Sequence, residues 1–355
     1  MTKSNICENM KQILTDAYSK PTRKICFYSA DSEKTGSDLL DNLPAWDWTP
    51  QKSHQVIGNS TCIFPLALGC KRILSSENTE WAEAMFSEQD MLNASQLTIG
   101  PLDVWSGRTG EMLNNIQKMV ETLPPTDKIR SIDIQSPFGI AEVICGAALY
   151  MALLSNSEPV HALLQTITDF IIKFLREQKC VAGTRLNAAT FPYIWYGCDG
   201  AYCADDSLTL MSPKMHAEFS LPYVNQIAEQ CGPLFYHSCS WSQKYLDNIK
   251  QLKNITAFNW NPANSIDPAI IIREFSGKAV LAPHMGNDVH KGKDVEKWGI
   301  FSDEVEFLRY ILDSMQDNTT LYLWFYNMCQ KPKVLEKMYQ ILDDYGYSPR
   351  AQGLF

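Results

Sequence analysis

The sequence predicts an α/β fold: a single TIM-type (β/α)8 barrel with a helical and loop extension at its N-terminus. Apolar strand-like runs alternate with segments of helical periodicity through the second half of the 355-residue chain, at the interval that a βαβ unit needs. Such alternation is typical of a parallel sheet. Because the chain lacks both a GxGxxG turn and a GxxxxGK turn followed by Ser or Thr, a closed barrel is favoured over an open doubly wound sheet.

The N-terminal part of the chain shows less of this alternation. Residues 1–20 predict a short helix, and Lys24–Ser29 predicts a first strand. Residues 30–60 are rich in Asp, Gly, Pro and Ser and predict a long loop. We therefore assign residues 1–60 to an extension packed on the barrel and residues 61–355 to the barrel itself.

From residue 130 onward the predicted elements follow in a regular order. Predicted strands are short apolar or alternating runs, and predicted helices carry apolar residues at helical spacing, several with proline in the first turn. The strands are 130–136, 191–196, 232–239, 255–260, 278–283 and 321–329, and the helices are 138–154, 158–175, 212–230, 242–252, 302–315 and 332–345, with one more that opens at Asp267.

The composition limits the class of protein. With 45% hydrophobic and 20% charged residues, the chain is typical of a globular protein with a large core. Its net charge of -9 argues against a general nucleic-acid or anionic-membrane binder. The N-terminus has no apolar signal-peptide region, and the longest apolar stretch, Phe138–Leu154, is short and contains Glu142. We expect a cytoplasmic protein without a membrane segment.

The eleven cysteines are scattered without the spacing of a disulfide framework. In a reducing compartment this number suits free buried thiols and metal ligands. Four of them have no partner at ligand spacing and are expected to serve in packing: Cys145, Cys198, Cys203 and Cys231.

A candidate metal site lies at the ends of two predicted strands. His237 and Cys239 end one apolar run, and Cys329 ends another. In an extended chain, side chains two residues apart project to the same face. If both strands end at one rim, one nitrogen and two sulfurs converge, which is a ligand set for catalytic zinc with an open position. The alternative is a buried histidine beside inert cysteines.

Three segments taken together resemble the uroporphyrinogen decarboxylase superfamily, over roughly residues 130–345. They are Ile132–Ala141 with Glu158–His161 downstream, Asp205-Asp206 followed by Met211–His216 and Leu221–Tyr223, and His237–Cys239 with Met285–Asn287 further on. The resemblance implies a single TIM-type barrel.

That superfamily contains two relevant chemistries. The decarboxylase proper needs no metal and grips its polycarboxylate substrate with an arginine-rich N-terminal segment, whereas the first fifty residues here offer Arg23 alone among arginines. The other branch comprises zinc methyltransferases that work with a corrinoid protein. Its coenzyme M type is marked by a His-x-Cys pair and a distant cysteine, so the resemblance implies His237, Cys239 and Cys329 as zinc ligands.

The function expected from this resemblance is a zinc-dependent methyltransferase. It would move a methyl group between a corrinoid, supplied by a partner protein, and a thiol or other small acceptor or donor; coenzyme M, tetrahydrofolate and methoxylated aromatics all stay open. One alternative is a metal-free lyase like uroporphyrinogen decarboxylase. Another is a non-catalytic barrel that binds a small molecule or a corrinoid protein.

Five further residues are candidates for the site. Asp205 and Asp206 lie between a strand and a helix, where acids orient ligands, transfer protons or cap the helix. Glu142 is unusual in its apolar stretch and either reaches the metal or substrate or has a structural role. His284 and Asn287 follow a strand and are candidates for cofactor contact at the same rim, although a loop histidine of no function is the simpler interpretation for His284.

Overall fold

The structure is a computed structural model. It describes residues 24–30, 53–74, 80–87, 89–90, 99–188, 190, 200–239, 242–261, 266–285, 301, 303–326 and 331–347. Residues 24–30, 284–285 and 324–326 are described by their backbone alone.

Strands and helices alternate along most of the described chain. The strands are β1 (Lys24–Ala30), β2 (Ser53–His54), β3 (Lys71–Leu74), β4 (Glu80–Glu83), β5 (Lys128–Arg130), β6 (Leu186–Asn187), β7 (Ala201–Ala204), β8 (Leu234–Ser238), β9 (Ile255–Trp260), β10 (Val280–Met285) and β11 (Thr320–Tyr326). The α-helices are α1 (Ile63–Ala67), α2 (Gly107–Thr122), α3 (Pro137–Cys145), α4 (Ala147–Ser155), α5 (Glu158–Ala182), α6 (Pro213–Phe219), α7 (Leu221–Cys231), α8 (Leu246–Ile249), α9 (Pro268–Phe275), α10 (Glu304–Asp313) and α11 (Pro332–Asp344).

The strands form two parallel sheets and a small hairpin. The larger sheet has the order β1-β11-β10-β9-β8-β7, and the smaller one has the order β2-β5-β6. A parallel bridge between Gln135 and Ala204 joins the two sheets, while β3 and β4 pair antiparallel outside them. Parallel strands connected by helices are the arrangement of a TIM-type barrel, and the fold predicted from the alternation is confirmed.

Two of the barrel strands lie in the predicted N-terminal extension. β1 pairs in parallel with β11, and β2 pairs in parallel with β5. At least residues 24–30 and 53–54 therefore belong to the barrel sheets rather than to an extension packed on them. A short strand such as β2 carries too little pattern for its pairing to be recognised from the sequence.

One row of residues crosses four neighbouring strands of the larger sheet. Ala204 of β7 pairs with His237 of β8, His237 pairs with Asn259 of β9, and Asn259 pairs with Ala282 of β10. The row lies near the carboxyl ends of these strands, which is the end of a TIM barrel that carries functional side chains.

The predicted helix over residues 138–154 is wrong as a single element, because Gly146 divides it into α3 and α4. Gly146 adopts φ 56° and ψ -141°, a conformation that residues with a Cβ atom rarely adopt. The two helices are bent by 108° there. Hydropathy alone gave no sign of this bend, since both helices are apolar.

The predicted helix over residues 212–230 is also divided. The structure has α6 and α7 with a break at Ser220, and Pro222 in the first turn of α7 explains the interruption, because proline has no N–H to continue the preceding helix. The start of α6 is as predicted: the Ser212 hydroxyl accepts a hydrogen bond from the Met215 N–H at 3.2 Å, and Pro213 occupies the first turn.

Several predictions fall on residues that the structure leaves undescribed. They are the helix over residues 1–20, the loop over 31–52, the strand over 191–196 and the end of the last strand at 327–329.

Within the described residues, no single helix is long and apolar enough to cross a membrane. The α3–α4 pair satisfies that criterion only when its two members are taken together.

We expect Gly146→Ala to lower the free energy of unfolding by about 1–3 kcal/mol, because the new Cβ would occupy a backbone conformation open mainly to glycine. Urea denaturation followed by circular dichroism measures the change. Met151→Ala, on an exposed position of α4, is the control and should change stability by less than about 0.5 kcal/mol. Equal stability of Gly146→Ala and the parent chain would contradict this explanation of the bend.

Candidate active site

Three potential metal ligands meet at the carboxyl ends of β7 and β8. Asp206, His237 and Cys239 each offer one ligand atom, and these atoms lie within 4.8 Å of one another. His237 Nε2 is 3.1 Å from Cys239 Sγ and 3.8 Å from Asp206 Oδ1. The prediction that His237 and Cys239 project together from their strand agrees with this geometry.

Asn259 determines which nitrogen of His237 faces the cluster. The Asn259 Nδ2 amide donates to the carbonyl of Ala282, so its Oδ1 oxygen is the atom that contacts His237 Nδ1. A carbonyl oxygen accepts, and His237 Nδ1 must therefore carry the proton. This leaves Nε2 unprotonated on the side of Cys239 and Asp206, which is the tautomer that a metal ligand requires.

Asp206 links the two strand ends. Its Oδ1 oxygen accepts a hydrogen bond from the backbone N–H of Cys239 at 2.6 Å. This bond fixes the turn after β8 and, with it, the position of the Cys239 thiol. Burial, followed by the negative charges of Asp206 and Asp133, raises the pKa of that thiol well above its usual value. Without a cation, Cys239 is therefore a neutral thiol at pH 7.

The cluster opens into a cavity of about 160 Å³. Its walls come from four parts of the chain: the segments after β2, β5 and β6, and the carboxyl-terminal parts of β7 and β8 with the residues that follow them. The described lining residues are Gln55, Asn59, Ser60, Thr61, Asp133, Gln135, Thr190, Tyr202, Ala204, Asp206, His237 and Cys239. A concave site with converging polar groups at this end of a barrel is the usual form of an enzyme active site.

Asp205 points away from this cavity and is fully buried. Its carboxylate accepts hydrogen bonds from Ser136 Oγ at 2.7 Å, Ser220 Oγ at 2.9 Å, Tyr236 Oη at 3.1 Å and His216 Nε2 at 3.1 Å. Burial alone would raise the pKa of this carboxyl, but the bonds from His216, Ser136 and Ser220 outweigh it and hold the pKa below the usual value. The carboxylate thus joins α3, α6 and β8 beneath the cluster.

His216 completes this buried network. Asn248 Nδ2 donates to His216 Nδ1 at 3.1 Å and to the carbonyl of Pro213 at 2.7 Å. His216 therefore carries its proton on Nε2, which donates it to Asp205. The adjacent acids Asp205 and Asp206 thus have different environments: the first is enclosed by donors, and the second faces the cavity.

Glu142 lies on α3 and outside the cavity lining. Tyr150 Oη donates to its carboxylate at 3.0 Å, and the Ser207 hydroxyl also donates to it. These contacts tie α3 to the segment that follows Asp206, as expected for the structural alternative, while a catalytic role stays a prediction.

The backbone of His284 lies near the end of β10, and its side chain, Asn287 and Cys329 lie outside the described residues.

Asp133 is a cavity residue that sequence reasoning missed. It lies between Ile132 and Ile134, which are fully buried, and it lines the cavity. Burial, followed by repulsion from Asp206, raises the pKa of Asp133 to about 7. The only signal in the sequence is an acid in an otherwise apolar alternating strand, and Asn259 gives the same kind of signal in β9.

The described cysteines are free thiols, as predicted: Cys62, Cys70, Cys145, Cys180, Cys203, Cys231 and Cys239. Burial raises the pKa of Cys145 to about 12 and that of Cys231 to about 11. These two thiols are protonated at neutral pH, which suits a packing role.

Comparison with known proteins adds two positive findings. Residues 62–287 match the family model described as uroporphyrinogen decarboxylase (URO-D). Among solved structures, a methyltransferase from Methanosarcina mazei is similar with a TM-score of 0.58 and 13% sequence identity, covering 83% of this chain and 81% of that chain. At this identity the likeness shows the fold alone. No curated protein sequence matches the chain.

We expect Asp205→Asn to lower the free energy of unfolding by about 3–5 kcal/mol. The NH2 group of the new amide would face side chains that donate hydrogen bonds to the carboxylate, so donor would meet donor. Urea denaturation at neutral pH measures the loss. Asp169→Asn is the matched control, since Asp169 is exposed on α5 and accepts from Gln165.

The same variant tests the pH dependence of Asp205. Because its folded pKa is lowered, the unfolded chain takes up the proton first as the pH falls. The stabilisation is present above the unfolded value of about 3.9 and is lost as the pH falls through the folded pKa. We therefore expect the stability difference between the parent chain and Asp205→Asn to shrink below about pH 4. A difference that stays constant down to the acid transition would contradict the assigned network.

Proposed function

Because this chain belongs to the uroporphyrinogen decarboxylase family, whose model matches residues 62–287, we propose that it is an enzyme of the methyltransferase type. In this proposal a zinc site at His237 and Cys239 serves the transfer of a methyl group between a corrinoid protein and a small thiol. The observation that carries the proposal is the 3.1 Å approach of His237 Nε2 to Cys239 Sγ at the wall of a cavity.

The donor set fits zinc. An imidazole nitrogen and a thiolate are preferred zinc ligands, and the imidazole here has the required tautomer because Asn259 Oδ1 contacts Nδ1. Burial and two nearby acids raise the pKa of the Cys239 thiol, and a bound metal ion would favour the thiolate that they oppose.

In this proposal the zinc ligands are His237, Cys239 and Cys329. Cys329 follows β11, which lies two strands from β9 in the larger sheet, and its role rests on the family resemblance. Asp206 Oδ1 lies within the same cluster and either contributes a further ligand or serves only to hold the Cys239 backbone. The zinc content of Asp206→Asn separates these two roles.

When bound, zinc would supply a Lewis acid that lowers the pKa of an incoming thiol, so that a thiolate is present at neutral pH. The residues of the chain supply orientation. Asn259 holds the His237 ring, Asp206 holds the turn at Cys239, and Tyr202 stacks against His237 with ring centroids 6.1 Å apart. A rigid arrangement of this kind lowers the entropic cost of bringing the reactants together.

The proposed reaction transfers a methyl group from cobalt to sulfur. A new sulfur–carbon bond forms as the cobalt–carbon bond breaks, and both electrons of the broken bond stay on cobalt, which leaves as cob(I)alamin. The corrinoid is proposed to come on a partner protein. We place the reaction in the cytoplasm, where the ligand thiols stay reduced.

A metal-free decarboxylase is the second candidate, because the matched family model carries that description. Such an enzyme needs cations for the many carboxylates of a porphyrinogen. The described part of the cavity lining contains two aspartates and neither lysine nor arginine. The cavity charge therefore favours the methyltransferase proposal.

We expect protein purified without chelator to contain close to one zinc ion per chain, measured by plasma mass spectrometry. His237→Ala, Cys239→Ala and Cys329→Ala should each lose most of it, because each removes a ligand. Cys145→Ala, which changes a buried cysteine of α3, is the control and should keep the zinc. A fully reduced parent protein with no metal would remove the basis of the proposal.

We expect Asn259→Ala to weaken zinc binding by about 10–100-fold, because the His237 ring loses the acceptor that fixes its tautomer. Competition with a chromophoric chelator measures the affinity. Asn114→Ala is the control: it removes an exposed amide on α2 and should leave the zinc affinity unchanged. Equal zinc affinity in both variants would argue against the role assigned to Asn259.

The activity itself is tested with free methylcobalamin and 2-mercaptoethanol under anaerobic conditions. We expect zinc-dependent formation of the methyl thioether together with cob(I)alamin, which absorbance spectroscopy follows. Activity that survives complete removal of zinc would contradict the proposed mechanism, and decarboxylation of uroporphyrinogen by the metal-free protein would favour the second candidate.

A further inference from the structure

One part of the cavity wall has no role in metal binding. It comes from the segments after β2 and β5, and its described lining residues are all polar: Gln55, Asn59, Ser60, Thr61, Asp133 and Gln135. The segment after β5 is held in place by Thr190, which also lines the cavity: its buried hydroxyl contacts the carbonyls of Ser131 and Ile132 at 2.7 Å each. A wall that is fixed in place and faces the metal ligands is suited to hold the non-reacting end of a substrate.

Two residues of this wall, Asp133 and Gln135, offer hydrogen-bond acceptors, while Asn59 Oδ1 already accepts from the backbone N–H of Asp133 at 2.8 Å. Gln135 Nε2 donates to Asp133 Oδ1 at 2.9 Å, so the Gln135 amide has its carbonyl oxygen for other contacts. Within the part of the chain that the structure describes, Gln135 is the one side chain that donates to the Asp133 carboxylate. A carboxylate has about four acceptor positions. The wall can therefore receive several N–H donors from a ligand.

The charge of the cavity points in the same direction. Its described lining has the acids Asp133 and Asp206 and neither lysine nor arginine. A zinc ion held by two thiolates would not offset these acids, because the thiolates already cancel its charge. Burial, followed by repulsion from Asp206, raises the pKa of Asp133 to about 7, and the described lining has no lysine or arginine to offset either cause. A bound cation would relieve that repulsion.

We propose that the small-molecule substrate of this site carries an ammonium group, and that Asp133 binds that group while the reacting end of the substrate lies at His237 and Cys239. This inference rests on the proposed function and specifies its substrate class. An ammonium offers N–H donors and a positive charge to the acceptors of Asp133 and Gln135, and a charge-assisted hydrogen bond is stronger than a neutral one. A substrate with an anionic end, such as a sulfonate or carboxylate, would meet repulsion from the two acids.

Three thiols of equal chain length separate these possibilities: cysteamine with an ammonium group, 2-mercaptoethanol with a hydroxyl, and 2-mercaptoethanesulfonate with an anion. Their affinities are measured on cobalt-substituted protein from the sulfur-to-cobalt absorption band, at about pH 8, where Asp133 is largely ionised. We expect cysteamine to bind about tenfold more tightly than 2-mercaptoethanol and 2-mercaptoethanesulfonate to bind most weakly.

Asp133→Asn should abolish this difference in affinity among the three thiols, because the amide keeps the shape of the side chain and loses its charge. We expect the affinity for cysteamine to fall by about tenfold, to the affinity for 2-mercaptoethanol. Asp169→Asn, which neutralises an exposed acid on α5, is the matched control and should keep the order of the parent protein. The proposal would be overturned if 2-mercaptoethanesulfonate bound most tightly. It would also be overturned if the order of the three affinities were the same in Asp133→Asn as in the parent protein.

A metal-independent measurement keeps this inference separate from the proposed function. Ethylammonium, ethanol and ethanesulfonate lack the thiol, and their binding to metal-free protein is measured by saturation-transfer NMR. Preference for ethylammonium that disappears in Asp133→Asn supports the assigned substrate class, even if the protein proves to bind no metal. Absence of that preference overturns it, even if zinc binding and methyl transfer are both observed.

Discussion

The candidate site depends on the parallel register of β7, β8, β9 and β10. In that register Ala204, His237, Asn259 and Ala282 stand side by side in one row. The row brings the Asn259 amide between the carbonyl of Ala282 and the ring of His237. A shift by one residue in β9 would turn Asn259 to the other face of the sheet. His237 would then lose the contact that determines its tautomer.

A buried polar network supports this row from beneath. Asp205 receives four side-chain hydrogen bonds, from α3, the α6–α7 segment and β8, and its backbone N–H donates to the carbonyl of His237 at 2.8 Å. Satisfied buried networks are rigid because each broken bond leaves an uncompensated polar group. The adjacent Asp206 therefore extends into the cavity from a fixed point. This division of roles between neighbouring acids gives the site one structural and one exposed carboxylate.

Much of this arrangement could be predicted from the sequence, and the failures have physical reasons. The alternation of strands and helices was sufficient to predict the barrel. The two-residue periodicity of a strand was sufficient to predict that His237 and Cys239 lie on the same face. The bend at Gly146 was missed because it depends on a backbone conformation rather than on hydropathy. Asn259 and Asp133 were missed because their importance comes from neighbours on other strands, which only the register defines.

The role of His237 and Cys239 as metal ligands is the central claim. X-ray absorption at the zinc edge, recorded on protein purified without chelator, tests it most directly. The account predicts sulfur at about 2.3 Å together with imidazole nitrogen at about 2.0–2.1 Å, and loss of the imidazole signal in His237→Ala. A zinc ion surrounded by oxygen alone, with a spectrum that His237→Ala leaves unchanged, would contradict it.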